Sequence, residues 1–221
     1  MQIDVKEAAR LLDISEKTIY RWIRRGILPA YRVNAQYRFS RAELLEWATA
    51  RRINVSPEIF TAEEGADAPL PTLEGAIRDG GIHYRVGGES REDVLAAIVG
   101  LMQLPAEVDR AFLLNVLLAR ESLGSTGIGD GIAIPHVRNP IVLHIPQPAI
   151  TLCFLDKPIE FGAIDGLPVR TFFTLVSPTV RAHLHLLSRL TWALRKPLFR
   201  DSVTAMAGRE EILAAAREVA R

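Results

Sequence analysis

Residues 124–136 read GSTGIGDGIAIPH, where four glycines lead into a short apolar run that ends on Pro135 and His136. A neutral imidazole is a competent nucleophile near pH 7 and forms a labile phosphoramidate. Glycines let backbone N–H groups approach an anion closely. Together they suit a phosphoryl group carried on the histidine itself, with Pro135 stiffening the approach to the ring. The familiar phosphate loops do not fit. A P-loop needs Lys-Ser/Thr where this chain has Asp130-Gly131, and a dinucleotide fingerprint starting at Gly127 needs glycine where Ile132 stands. A nucleophile elbow on Ser125 fails at Leu123. No metal site is expected, because no H-x-x-x-H or C-x-x-C pairing occurs.

The elements around this stretch alternate. LEGAIRDGG reads as a short helix closed by glycine and IHYRV as a strand. Ser90 to Asp93 is a capping box opening a helix through Val94, Leu95, Ile98 and Leu101. Residues 108–121 predict a second helix, leading straight into the glycines. ITLCFL and VRTFFTLV are branched and aromatic, as central strands should be. Helices are expected over 183–194, 197–207 and 209–219. The fold class is therefore α/β or α+β: a mixed sheet with helices on both faces, covering 71–221.

The continuous stretch ARESLGSTGIGDGIAIPH resembles the phosphorylation-site segment of the enzyme IIA proteins of the phosphotransferase system, of the mannitol/fructose and nitrogen-regulatory type. The similarity extends to Arg221 and includes AHLHLLSRL. It implies phosphoryl carriage without a cofactor, by a carrier rather than a turnover enzyme. His136 matches the histidine phosphorylated by the phosphocarrier HPr, Arg120 the site arginine, and His183 the second site histidine. Ser125 and Thr126 are the motif's hydroxyl donors, and the backbone at Gly127 and Gly129 supplies N–H groups. An arginine offers the phosphoryl oxygens a permanent forked cation. His183 and His185 stand two apart on a helix and face different ways, so only His183 is assigned to the site; His185, His83 and His144 are read as structural. Asp130 departs from the asparagine more common in nitrogen-regulatory members.

Upstream, Asp4-Val-Lys-Glu7 and Ser15 cap two short helices separated by a tight turn. Ile19, Trp22 and Ile23 give the second an inner face, and Gly26 stops it. Tyr31 to Phe39 flank Asn34-Ala35-Gln36 as a hairpin, and Ser40-Arg-Ala-Glu43 opens a third helix through Leu44 and Trp47. This order resembles the winged helix-turn-helix of excisionase and MerR-type DNA-binding domains. It implies a second helix in the major groove and a wing on the backbone. Lys17, Thr18, Arg21, Arg24 and Arg25 on the helix, with Arg32 and Arg38 on the hairpin, are the DNA-contact candidates. Trp22 and Trp47 are read as core.

Charge agrees with this division. Residues 1–52 carry a net +5, residues 53–70 a net −4, and residues 71–221 are neutral. The boundaries are accordingly a helix-turn-helix domain over 1–52, a proline-rich linker over 53–70 and the IIA domain over 71–221. No apolar run approaches the ~18 residues of a membrane span. The charged N-terminus is unlike a signal peptide and Cys153 is the sole cysteine, so a cytoplasmic protein is expected. Three functions are compatible: a regulator coupling His136 phosphorylation to DNA binding, a carrier passing phosphate to a sugar-specific enzyme IIB, or a protein-interaction regulator of nitrogen or potassium metabolism. DNA readers of this size commonly act as homodimers.

Overall fold

Asp4 and Ser15 each start a helix with an oxygen of the side chain. Asp4 Oδ1 accepts the Glu7 N–H at 2.8 Å, and Ser15 Oγ accepts that of Thr18 at 3.3 Å. The resulting helices, α1 (Val5–Leu11) and α2 (Glu16–Arg24), belong to the first of two compact units, Met1–Ala68 and Pro69–Arg221. The structure is a computed structural model; it describes residues 2–33, 36–40, 44, 47, 48, 51, 53, 70–137 and 147–219. Residues 41–43 of the expected third capping box and 54–69 of the expected linker lie outside these.

In the first unit Gly26, at φ 66°, ends α2. Its N–H bonds to the Ile23 carbonyl and that of Ile27 to Trp22, which is a Schellman closure. The hairpin of β2 (Tyr31–Val33) and β3 (Gln36–Ser40) then gains a strand the sequence did not announce. β1 (Gln2–Ile3) pairs antiparallel with Phe39 and Ser40, giving the sheet order β1-β3-β2. Two residues are too few to show a period, so only the partner strand reveals β1. Ile3, Leu11, Ile19 and Phe39 are buried, as are the helical residues Leu44, Trp47 and Ala48. The Trp22 and Trp47 rings lie 5.3 Å apart, and Trp47 Nε1 donates to the Ile27 carbonyl at 2.6 Å. Both tryptophans thus serve the core, as expected.

The second unit begins with α3 (Leu73–Gly80), β4 (Ile82–Val86), α4 (Arg91–Leu101) and α5 (Arg110–Ser122). It continues through β5 (Gly127–Gly129), β6 (Ile132–Ala133), β7 (Ala149–Ile159) and β8 (Val169–Val176). The helices α6 (Val180–Ala193), α7 (Pro197–Thr204) and α8 (Arg209–Glu218) complete it. The sheet order is β4-β7-β8-β6-β5, with β4 parallel to β7, β6 parallel to β8, and the other pairs antiparallel. Alternate residues feed two cores. Ile150, Leu152, Phe173 and Leu175 face α3, α6, α7 and α8, while Cys153, Leu155, Phe172 and Val176 face α4 and α5. Helices on both faces of a mixed sheet are the expected class. Burial pushes the Cys153 thiol up to about 12, which leaves it inert.

One boundary matters for the site. The sequence predicts a helix from 183, but α6 starts at Val180 because Thr179 Oγ1 accepts the Ala182 N–H at 3.1 Å. His183 therefore lies in the first turn. Among the described residues no helix is long and apolar enough to cross a membrane.

Two histidines outside the site are held below their ordinary value of 6.5, first by burial: His83, also facing Arg209, and His185, also facing Arg189 and Arg181. His185 Nε2 meets the Pro71 carbonyl at 3.1 Å, which opposes the shift in part. Between the folded value and 6.5 the unfolded chain binds more protons, so stability is full above that window and is lost as pH falls through it. The urea midpoint should drop between about pH 7 and pH 5, and more shallowly in a His83→Asn, His185→Gln double variant. An equal slope in the double variant would locate the acid sensitivity elsewhere.

Candidate phosphoryl site and nucleic-acid interface

β6 does not stop the chain's run along the sheet. After Ile134 and Pro135, His136 bridges to Leu175 in parallel register, at the carboxyl end of β8. Three residues beyond Val176, Thr179 caps α6, and His183 projects from its first turn. The His136 and His183 rings come to 5.3 Å between centroids at 48°, both nearly fully buried. Open α/β sheets place ligands beyond the carboxyl ends of parallel strands, where this pair stands. His185 instead packs on Pro71.

The ring's chemistry follows from one bond. His136 Nδ1 lies 2.7 Å from the Ile134 carbonyl oxygen. That oxygen can only accept, so Nδ1 carries the proton and Nε2 keeps the lone pair. In its neutral form the ring is thus held with Nε2 as its nucleophilic nitrogen.

The glycine-rich stretch is not the open loop its composition suggests. Asp130 and Gly131, at φ 54° and 71°, make the left-handed pair of a tight hairpin turn joining β5 to β6. Asp-Gly between short apolar runs is a hairpin signal, obscured here by the surrounding glycines. The Asp130 N–H donates to Asp165 Oδ2 at 2.8 Å, and the Ile164 N–H to the Gly127 carbonyl at 3.1 Å, so a second loop clasps the turn. A Cβ on Gly127 would sit 2.7 Å from both Cα and Cβ of Ala163. Gly127→Ala should therefore lower stability by about 1–3 kcal/mol, read as a shifted urea midpoint. An unchanged midpoint would mean that this contact opens freely.

The predicted donors are largely engaged within the hairpin. Ser125 Oγ donates to the Phe161 carbonyl at 2.8 Å and accepts the Gly127 N–H at 3.0 Å. Thr126 gives both its hydroxyl and its N–H to Glu121. Gly129 lies in β5 at φ 93°. Arg120, half-buried in the last turn of α5, sends Nη1 to the Gly124 carbonyl at 2.9 Å and so holds the hairpin's entry. Glu121 was given no role in the sequence, although an acid in a helix's final turn is a local anomaly that could have flagged it. Its side chain is buried at 2% exposure, and burial holds its carboxyl above the usual range despite the Thr126 bonds and the nearby Arg120 guanidinium.

In the first unit Lys17, Arg21, Arg24 and Arg25 are exposed along α2 and its cap. Thr18 is half-buried, and its Oγ1 sits 3.0 Å from Ser15 Oγ within the cap. Arg38 turns along its own strand to Gln36 Oε1 at 2.8 Å. Register sets Arg32 opposite Tyr37 and Arg38 opposite Tyr31, so the two positions fall on opposite faces of the ribbon. The Arg32 side chain lies outside what the structure describes.

Residues 77–218 match the family model for EIIA 2 of the phosphoenolpyruvate-dependent sugar phosphotransferase system. The chain belongs to this family. Residues 3–52 match a helix-turn-helix domain model, so the EIIA 2 domain here follows a helix-turn-helix unit. The chain is 38% identical over 133 residues to a nitrogen regulatory protein of Pseudomonas aeruginosa, spanning 58% of this chain and 84% of that one. It is 28% identical over 135 residues to a fructose-specific EIIABC component of the Bacillus subtilis phosphotransferase system, spanning 60% of this chain and 21% of that one. Among solved structures, the nitrogen regulatory protein IIA-Ntr of Neisseria meningitidis superposes with a TM-score of 0.57 at 28% identity, covering 65% of this chain and 98% of that one. The EIIA 2 match encloses Arg120, His136 and His183 alike.

Proposed function

We propose that this EIIA 2 protein is a cytoplasmic, phosphotransferase-linked regulator. His136 accepts a phosphoryl group from an HPr-type phosphocarrier, and the helix-turn-helix unit binds DNA with an affinity that phosphorylation changes. The bond from Nδ1 to the Ile134 carbonyl carries this reading, because it presets the tautomer that attack by Nε2 requires. In the transfer the Nε2 lone pair forms a bond to phosphorus, the donor's N–P bond breaks, and its electron pair returns to the donor ring. Such a step asks the protein for positioning and charge stabilisation, the roles this reading gives to Arg120 and His183. Ser125, Thr126, Gly127 and Gly129 shape the hairpin that leads to His136. Phosphorylation adds roughly two negative charges, the signal available to the basic helix-turn-helix unit.

Supplying phosphoenolpyruvate, enzyme I and HPr should place acid-labile phosphate on the chain. Label persisting in His136→Ala would overturn the assignment, and equal DNA retention by both forms would overturn the coupling. The likeness to a fructose-specific EIIABC component favours a second reading, in which His136 passes its phosphate to an enzyme IIB. Salt-insensitive DNA retention would leave that reading in place of the first.

A further inference from the structure

Glu121 is the one buried carboxyl among the described residues, and the transfer described above does not use it. The Thr126 N–H donates to its Oε2 at 3.0 Å and the Thr126 hydroxyl to its Oε1. The Thr126 carbonyl in turn accepts the Ile134 N–H at 3.0 Å, and the Ile134 carbonyl accepts from His136 Nδ1 at 2.7 Å. A continuous chain of bonds thus ties the carboxylate to the nucleophilic ring. Each residue in it interposes an sp³ Cα between its N–H and its C=O, so the chain transmits position rather than polarisation.

The charges bearing on Glu121 are few. Burial favours the neutral acid, while Arg120 beside it on α5 favours the carboxylate, as His136 beyond β6 does only when its ring is cationic. His183 of α6 lies against His136, and Arg91 of α4 reaches the Phe161 carbonyl that also holds Ser125. A phosphoryl group on His136 Nε2, with Nδ1–H kept, puts roughly two negative charges on its oxygens and one positive charge on the ring, a net of about one negative charge that one proton would balance. Like charge nearby strengthens a carboxyl's hold on its proton.

We propose that Glu121 is a positioning residue whose proton balances the site: as a carboxylate it aims the His136 ring, and it takes one proton from solvent when Nε2 carries the phosphoryl group. The inference rests on phosphorylation of His136. The bond from Nδ1 to Ile134 is kept throughout, so the only proton that moves is the one from water to the carboxylate.

The test is carboxyl ¹³C and ³¹P NMR of the full chain against pH, before and after treatment with phosphoramidate, a chemical donor that needs no partner protein. The Glu121 midpoint should rise by about one unit or more on phosphorylation. Glu121→Gln keeps both bonds, its oxygen accepting the Thr126 N–H and its amide donating to the hydroxyl. It should therefore preserve the Nδ1–H tautomer in ¹⁵N spectra yet lose the roughly tenfold-per-unit pH slope that one linked proton adds to the phosphorylation equilibrium. A phosphohistidine signal with an unmoved Glu121 midpoint, or a Glu121→Gln slope equal to wild type, overturns the inference alone. No phosphohistidine signal overturns the reading of His136 and this inference with it.

Discussion

Arg120→Gln should slow phosphoryl uptake by His136 about 10³-fold, against complete loss of acid-labile phosphate in His136→Ala. The two differ because the residues do different work. Without the imidazole there is no nucleophile and no carrier. Without the guanidinium the nucleophile remains, held by Ile134, but the charge that spreads over the equatorial oxygens in the transition state goes uncompensated. Arginines that stabilise a transferring phosphoryl group are commonly worth three or more orders of magnitude. Arg120 also anchors the hairpin entry through the Gly124 carbonyl, so part of any loss could come from a displaced loop. Arg120→Lys separates the two effects: it keeps a point charge but not the fork, and should recover only a fraction of the rate. Rapid-quench transfer from phosphorylated HPr, with urea midpoints taken alongside, reads both. A rate for Arg120→Gln within threefold of wild type would remove the arginine from the site.

Raising salt from 50 to 200 mM should weaken binding to a mixed-sequence duplex about 10²-fold, since four phosphate contacts give a log–log slope near −3.6. The four are Lys17, Arg21, Arg24 and Arg25, the exposed cations of α2 and its cap. Thr18 contributes no charge, and contacts by the wing candidates Arg32 and Arg38 would steepen the slope further. Replacing Arg21 and Arg24 together by alanine should make the slope shallower by about two. Neither lies in the buried core, so the fold should persist and the loss should read as binding rather than unfolding. Retention unaffected by salt, or a double variant with an unchanged slope, would mean that α2 does not meet phosphates.

Most elements of both units were legible from local signals, because caps, glycine stops and alternating strands are set by neighbours a few residues away. Ser90 and Asp93 close their box, Gly26 ends its helix, and the two long apolar runs lie side by side as central strands. The family resemblance pointed to Arg120, His136 and His183 as candidates, and the structure brings the His136 and His183 rings together. What escaped depended on partners remote in sequence. β1 exists only because β3 offers it an edge, and the glycine stretch becomes a clasped hairpin only against Ala163, Ile164 and Asp165.

The sequence by itself pointed to the side chains proposed for phosphoryl chemistry and to α2 as a helix with exposed cations. The tertiary structure alone decided that His136 Nδ1 faces the Ile134 carbonyl and that a buried glutamate stands behind the hairpin. The physical reason is range. Helix caps and strand periods are written within one or two turns of chain, whereas a tautomer and a buried charge are set by atoms that only folding brings within hydrogen-bond distance.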